Sequence, residues 1–304
     1  MKKANKGATG RSMRYRHAAR RLVLVLLVSA GLCPALALAH GRAVRGSPAL
    51  RSNSVYVLDE TSSSVLLSRQ ADVAMPIASI TKLMTALVVL EAGQRLDEPL
   101  EITADDSGGA GKRGVSRLKT GTTLSRADLL HLALMSSENR AAHALGRNYP
   151  GGLPACVQAM NAKAQALGMK SAHFVEPTGL SSGNVASPAD LAKLVQASAE
   201  SHTIQEYSTD ESYAVPIRRH LVEFHNTDSL VRNPDWNIVV QKTGYIAEAG
   251  RCLVMKAIFE GRSVVIVLLD SAGKRTRFAD AVRIRKWMES RLAAASARAG
   301  APKA

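Results

Sequence analysis

Apolar positions along the chain fall into strand-like ends around a helical middle. SVYVLDETSSSVLLSRQ (54–70) reads as two short β-branched runs about a polar turn, which predicts a hairpin. An apolar helix over 80–93 follows and stops at Gly93. Residues 97–124 are polar and Gly-rich, including DDSGGAGKRG, and predict a loop region. Over 125–200 the pattern is helical. Ser125 with Asp128 three later makes a capping-box start for ADLLHLALM. Further helices are expected at about 138–147, ended by YPGG, and at about 154–167, ended by Gly168. A fourth begins at Ser187-Pro188, with proline in its first position and Asp190 in its first turn. From 212 the apolar runs have strand length: SYAVP, NIVVQKTGY, RCLVMKAIF and RSVVIVLLD. Residues 274–297 are amphipathic, with Phe278, Val282, Trp287 and Leu292 near one face, and predict a helix packed on the sheet rather than a membrane anchor.

The simplest assembly is an α+β domain over 53–290. An antiparallel sheet, built from both ends of the domain, is flanked by the first and last helices. An all-helical lobe (about 95–200) stands beside it, and a cleft lies between the two. Residues 40–52 read as a flexible lead-in. Residues 291–304, ending in AAASARAGAPKA, read as a frayed, disordered tail.

Charge adds a compartment. The formal net charge is +15, but residues 1–39 hold eight Lys/Arg and no acid, so the rest of the chain carries +7. That basic stretch enters LVLVLLVSAGLCPALALA (22–39) and ends in Ala37-Leu38-Ala39, the layout of a cleaved export signal with a new terminus at His40. Met13 is an alternative start. An uncleaved anchor would be short, with Gly and Pro inside it. Leu32 before Cys33 argues against a lipoprotein. Export places the protein in the periplasm. The residual basic excess suits a polyanionic wall or membrane surface at least as well as nucleic acid, and no nucleic-acid partner is expected. Cys156 and Cys252 remain after cleavage; they read as buried small hydrophobes, with a disulfide as the alternative. No CxxC or His/Cys cluster suggests a metal, and none of His131, His143, His173, His220 or His225 has metal spacing.

Three Ser-x-x-Lys pairs occur: Ser79/Lys82, Ser116/Lys119 and Ser271/Lys274. Ser-x-Asn occurs at Ser137/Asn139 and Ser182/Asn184, and Lys-Thr-Gly at 119–121 and 242–244. Context chooses among them. Ser79 opens a helix, where side chains three apart share a face and the N-terminus favours developing negative charge. Ser137 and Asn139 lie in the break between two helices. Lys242, Thr243 and Gly244 end an apolar strand, where Gly244 would let a substrate backbone approach. The other copies sit in polar, turn-rich surroundings. Ser-x-x-Lys on a helix, Ser-x-Asn at a helix junction and Lys-Thr-Gly on a strand form the set found in penicillin-binding proteins and serine β-lactamases. The basic stretch RTRFADAVRIRKW (275–287) reads as a solvated helix face.

ASITKLMTALVVLE, LLHLALMSSENRAAHALGRNYPGG, FVEPTGLSSGNVASPADLAKL and QKTGYIAEAG resemble the low-molecular-mass penicillin-binding proteins, and within them the D-alanyl-D-alanine endopeptidases, over about 53–290. The resemblance implies a β-lactamase/transpeptidase-like fold with a five-stranded antiparallel sheet, and a cofactor-free serine DD-peptidase. Its substrates are peptidoglycan peptide stems, and β-lactam antibiotics acylate it. By the same resemblance Ser79 is the nucleophile, Lys82 its base, with its pKa lowered by burial and by Lys242 across the cleft, and Ser137 a proton relay to the leaving amine. Asn139 orients Lys82 and binds a substrate amide. Lys242 and Thr243 receive the D-residue beyond the scissile bond, and the N–H groups of Ser79 and Tyr245 form the oxyanion hole. Two departures disfavour a carboxypeptidase: Asn139 precedes Arg140-Ala141-Ala142 rather than Asp-Ala, and about thirty residues after the last strand leave no room for a second β domain. A β-lactamase is the next alternative, but Glu176, in VEPTGLSSGN, reads as a structural loop residue rather than a deacylating base. A non-catalytic wall-binding protein is the last.

Overall fold

The structure is a computed structural model that describes residues 46–107 and 116–299; the export signal lies outside the described residues. In chain order the strands are β1 (Ser52–Asp59), β2 (Ser64–Arg69), β3 (Met75–Pro76), β4 (Pro99–Glu101), β5 (Thr123–Ser125), β6 (Val185–Ala186), β7 (Ser212–Ile217), β8 (His220–His225), β9 (Asn237–Ile246), β10 (Gly250–Phe259) and β11 (Arg262–Ser271). The helices are α1 (Thr81–Glu91), α2 (Arg126–Met135), α3 (Asn139–Arg147), α4 (Gly152–Ala166), α5 (Pro188–Ser198), α6 (His202–Thr209) and α7 (Thr276–Ala299).

The expected five-stranded sheet is present, in the order β2-β1-β11-β10-β9, and the pairings are antiparallel. Its central strands read as unbroken apolar runs because both faces are covered. Successive side chains point to opposite faces, and β11 divides accordingly. Val265, Val267 and Leu269 enter the core shared with the helical lobe, whereas Val264, Ile266 and Leu268 enter the core under α7. From α7, Ala281, Ile284, Trp287 and Met288 fill that second core. The lobe-side face packs against α5, whose start is set by Ser187 accepting from the Asp190 N–H and by Pro188 in the first turn.

The first helix packs chiefly among other helices. Every residue from Thr81 to Val89 is buried, as expected of a helix at the centre of a lobe rather than on a surface. It meets the sheet through the 3-10 turn Ala78–Ile80, which packs on β9. Elsewhere local signals held closely: Ser125 and Asp128 form the reciprocal capping box of α2, and Gly93 takes the left-handed backbone that ends α1 (φ 66°).

Several elements had weaker signals. The polar stretch expected as loop contains the ribbon β4–β5. SYAVP does not join the main sheet. It forms the separate hairpin β7–β8 with HLVEFH, and α6 was not anticipated. The final helix runs through Ala299, beyond residue 290. Cys156 and Cys252 are buried and unpaired, and burial pushes their thiols up to about 12 and about 11. His131 is packed between the rings of Tyr207 and Tyr213, with centroids 4.4 and 3.8 Å away. Among the described residues no helix is long and apolar enough to cross a membrane.

Candidate active site

Ser79 sits in the middle of the 3-10 turn before α1. Ala78, just before it, has φ 49°, a backbone that an alanine adopts only at a cost of about 1–2 kcal/mol. The surroundings hold that turn in place. The Thr81 hydroxyl donates to the Ala78 carbonyl at 2.8 Å. Gly179 and Gly244 press against the same backbone. A Cβ on Gly179 would lie 2.0 Å from the Ala78 oxygen, and one on Gly244 would lie 3.1 Å from the Ile77 oxygen and 3.2 Å from the Ser79 nitrogen. Gly244 thus also packs strand against turn within the protein, where a Cβ would require its neighbours to give by a few tenths of an ångström.

One turn on, the Lys82 side chain is 1% exposed. Its Nζ donates to Thr178 O at 2.6 Å, Asn139 Oδ1 at 2.8 Å and Ser79 Oγ at 3.0 Å. Burial lowers its pKa to about 8, against the opposing carboxylates of Glu176 and Glu138. Desolvation is the main cause of the Lys82 shift, and Lys242 is itself held well below its ordinary value by burial first and then by Lys82 and Arg277. The hydrogen-bond set also fixes what a neutral Lys82 does. The Thr178 carbonyl and Asn139 Oδ1 can only accept, so they take its two N–H bonds. The lone pair is left for the one partner able to donate, the Ser79 hydroxyl.

Asn139 begins α3, and Ser137 lies in the break before it with φ 60°. Ser79, Ser137, Asn139, Thr243, Gly244 and Tyr245 line one cleft of about 580 Å³. Lys242 is fully buried behind it and donates to the Thr243 carbonyl at 3.0 Å. The Tyr245 side chain turns outward beneath the Arg251 guanidinium, 4.4 Å from its ring centroid. The discarded motif copies stay outside this cleft. Ser116 Oγ accepts from the Leu118 N–H in a local turn, Gly121 turns at φ 81°, and Ser271 pairs with Ser52 at 2.7 Å.

Several contributors had no motif. Thr227 and Thr243 hydroxyls lie 2.7 Å apart at the cleft wall, and Leu180 also lines it. Arg277, read from sequence as part of a solvated helix face, is 7% exposed and lines the cleft. Burial, and then Arg251, lower its pKa. Asn184, read as a turn residue, is wholly buried. Its amide donates to Thr81 Oγ1 at 3.0 Å and to the Glu176 carbonyl at 2.8 Å, and its Oδ1 accepts from Val175 N at 2.8 Å. Glu176 is saturated: its carboxylate accepts from the N–H groups of Thr178 at 2.6 Å and Gly179 at 2.7 Å and from the Asn184 amide at 2.9 Å. That matches a structural loop residue, and the loop it ties presents the Thr178 carbonyl to Lys82.

Comparison with known proteins identifies the family. The profile of a family described as D-alanyl-D-alanine carboxypeptidase matches residues 42–273. A D-alanyl-D-alanine endopeptidase of Pseudomonas aeruginosa is 49% identical over 79% of this chain and 78% of its own length. One of Escherichia coli is 43% identical over 88% and 87%. Among solved structures, a Streptomyces DD-transpeptidase superposes with TM-score 0.73 at 25% identity, covering 79% of this chain and 98% of that one. A family profile spanning most of the chain, and relatives of this identity over most of both lengths, place the protein in the D-alanyl-D-alanine carboxypeptidase family of serine peptidases, as a serine DD-peptidase.

Proposed function

We propose that the protein is a D-alanyl-D-alanine endopeptidase that hydrolyses D-alanyl–diamino-acid cross-links in peptidoglycan. The observation that carries this is the Lys82 contact set, in which only Ser79 can surrender a proton to the amine. Ser79 Oγ attacks the D-alanyl carbonyl as its proton passes to Lys82 Nζ. The N–H groups of Ser79 and Tyr245 hold the oxyanion, and loss of one such donor costs about 3 kcal/mol of transition-state stabilisation. The C–N bond breaks, and the leaving amine takes a proton relayed through Ser137. Water then cleaves the ester, releasing the D-alanyl carboxylate and restoring the hydroxyl. Asn139 steers the Lys82 amine and a substrate amide. Thr243, Lys242 and Arg277 offer hydroxyl and positive charge to the carboxylate beyond the scissile bond.

The endopeptidase specificity is supported by the names of the relatives at 49% and 43% identity; relatives at 27% are named carboxypeptidases. The catalytic domain spans about 53–290 behind a cleaved export signal. It works in the periplasm, where its basic excess favours peripheral contact with wall polymer or membrane. Penicillins acylate Ser79, so mass spectrometry after penicillin treatment should find one adduct, on the peptide containing Ser79. An unlabelled Ser79 would overturn the site. Dimeric muropeptide should be cut, and cleavage of monomeric pentapeptide alone would make the protein a carboxypeptidase. Rapid penicillin turnover in place of a lasting adduct would make it a β-lactamase.

A further inference from the structure

The cleft does not end at the groups assigned to the carboxylate beyond the scissile bond. Past Thr243 and Arg277 its wall runs on through Tyr245, Ile246 and Ala247 toward the β9–β10 turn. Side chains alternate along a strand, so Tyr245 shares the face of β9 that carries Thr243. Arg251 of β10 stands opposite Tyr245, as Leu253 stands opposite Thr243. Opposed residues of an antiparallel pair present their side chains to one face. Leu253 lies in the core under α7, and Arg277 stands in the first turn of that helix. Thr243, Arg277, Tyr245 and Arg251 are therefore neighbours on the α7 side of the sheet, at its edge beside the cleft.

Tyr245 belongs to neither hydrophobic core and is 56% exposed. The Arg251 guanidinium lies 4.4 Å from its ring centroid, within the range of a cation–π contact. An aromatic ring left in solvent and backed by a guanidinium presents a flat apolar surface with positive charge beside it. Two stiff groups that already brace each other lose little freedom when a ligand lands on them.

We infer that the Tyr245–Arg251 pair is a specificity determinant, a shelf that binds the acceptor stem of a cross-linked substrate, the acidic peptide carried by the leaving amine. The inference rests on the endopeptidase reading above. A terminal D-alanine stops at its own carboxylate. The leaving residue of a cross-link carries that carboxylate too, but its side chain continues into a second stem with further carboxylates. On this face the groups next to Thr243 and Arg277 are the ring and the guanidinium, which offer an acidic peptide apolar contact and a charge-assisted hydrogen bond. Both kinds of substrate use Thr243 and Arg277, and the cross-linked kind alone reaches the shelf.

The test compares steady-state cleavage of dimeric muropeptide with the second-order rate of acylation by a fluorescent penicillin, in the wild type, Arg251→Gln and Arg251→Lys. Penicillin has no acceptor stem, so its rate reports the fold and the nucleophile. Arg251→Gln is expected to raise KM for the dimer about tenfold, with kcat and the penicillin rate within about twofold of the wild type. Arg251→Lys keeps the charge but loses the planar stack, and its KM should fall between the two. An unmoved KM in Arg251→Gln, or penicillin acylation lowered as much as dimer cleavage, would overturn the shelf and leave the endopeptidase reading standing. A wild type that is labelled by penicillin but leaves the dimer intact would remove the endopeptidase reading, and the shelf with it.

Discussion

Lys82 provides the sharpest quantitative test, because its environment specifies both the size and the direction of an effect. Moving its pKa from 10.5 to about 8 corresponds to roughly 3 kcal/mol against the ammonium form. Roughly a tenth of the amine is then neutral at pH 7 and roughly a hundredth at pH 6. Acylation by a fluorescent penicillin, followed as a second-order rate, is expected to rise about tenfold per pH unit up to about pH 8 and then level off. The carboxylates of Glu176 and Glu138 oppose the shift, which gives a second, directional test. Glu138→Gln keeps the oxygen that accepts from Arg140 N at 3.0 Å but removes the charge, so the acid limb should move below pH 8. Ser79→Ala supplies the blank, and circular dichroism across the pH range shows that the fold persists. A rate flat from pH 6 to 8, an acid limb near 10, or a limb that rises in Glu138→Gln would refute burial as the source of the base.

Gly179→Ala combines a left-handed backbone (φ 81°) with a Cβ 2.0 Å from the Ala78 oxygen; thermal unfolding should show a loss of about 2–4 kcal/mol, and penicillin labelling should drop at least tenfold. Asn184→Ala leaves the N–H of Val175 and part of the Glu176 carboxylate unpaired; urea unfolding should show a loss of about 2–4 kcal/mol, and a neutral result would mean that other groups hold the loop. Asp106 has no exposed side-chain surface and binds His143 Nδ1 at 2.8 Å, Arg147 Nη2 at 2.9 Å and Thr103 N at 2.7 Å. Its pKa is well below 3.8: burial raises it, but bonds from His143 and Arg147 outweigh that. Because the folded pKa is depressed, its contribution is present above the unfolded value and lost as pH falls. Asp106→Asn should therefore destabilise the protein at pH 7, by a margin that shrinks below about pH 4 in unfolding experiments.

What the chain order settles by itself is local. The capping box at Ser125, the proline start of α5 and the end of α1 at Gly93 depend on residues within one or two turns of each other. They need no tertiary partner; the i, i+3 spacing of Ser79 and Lys82 makes their contact possible, while distant residues hold the turn and the amine in place. The sheet was legible because strands covered on both faces carry unbroken apolar runs, as β10 and β11 do. Ribbon β4–β5, hairpin β7–β8 and helix α6 were not, because they are short and half-polar and their pairing depends on what they pack against. At the site, tertiary structure decided everything that depends on desolvation. Thr178 comes from 96 positions away to take one Lys82 hydrogen bond. Asn184 and Arg277 read from sequence as turn and surface residues, yet both are buried. A pKa responds to water excluded by distant segments, and no spacing of residues along the chain records that exclusion.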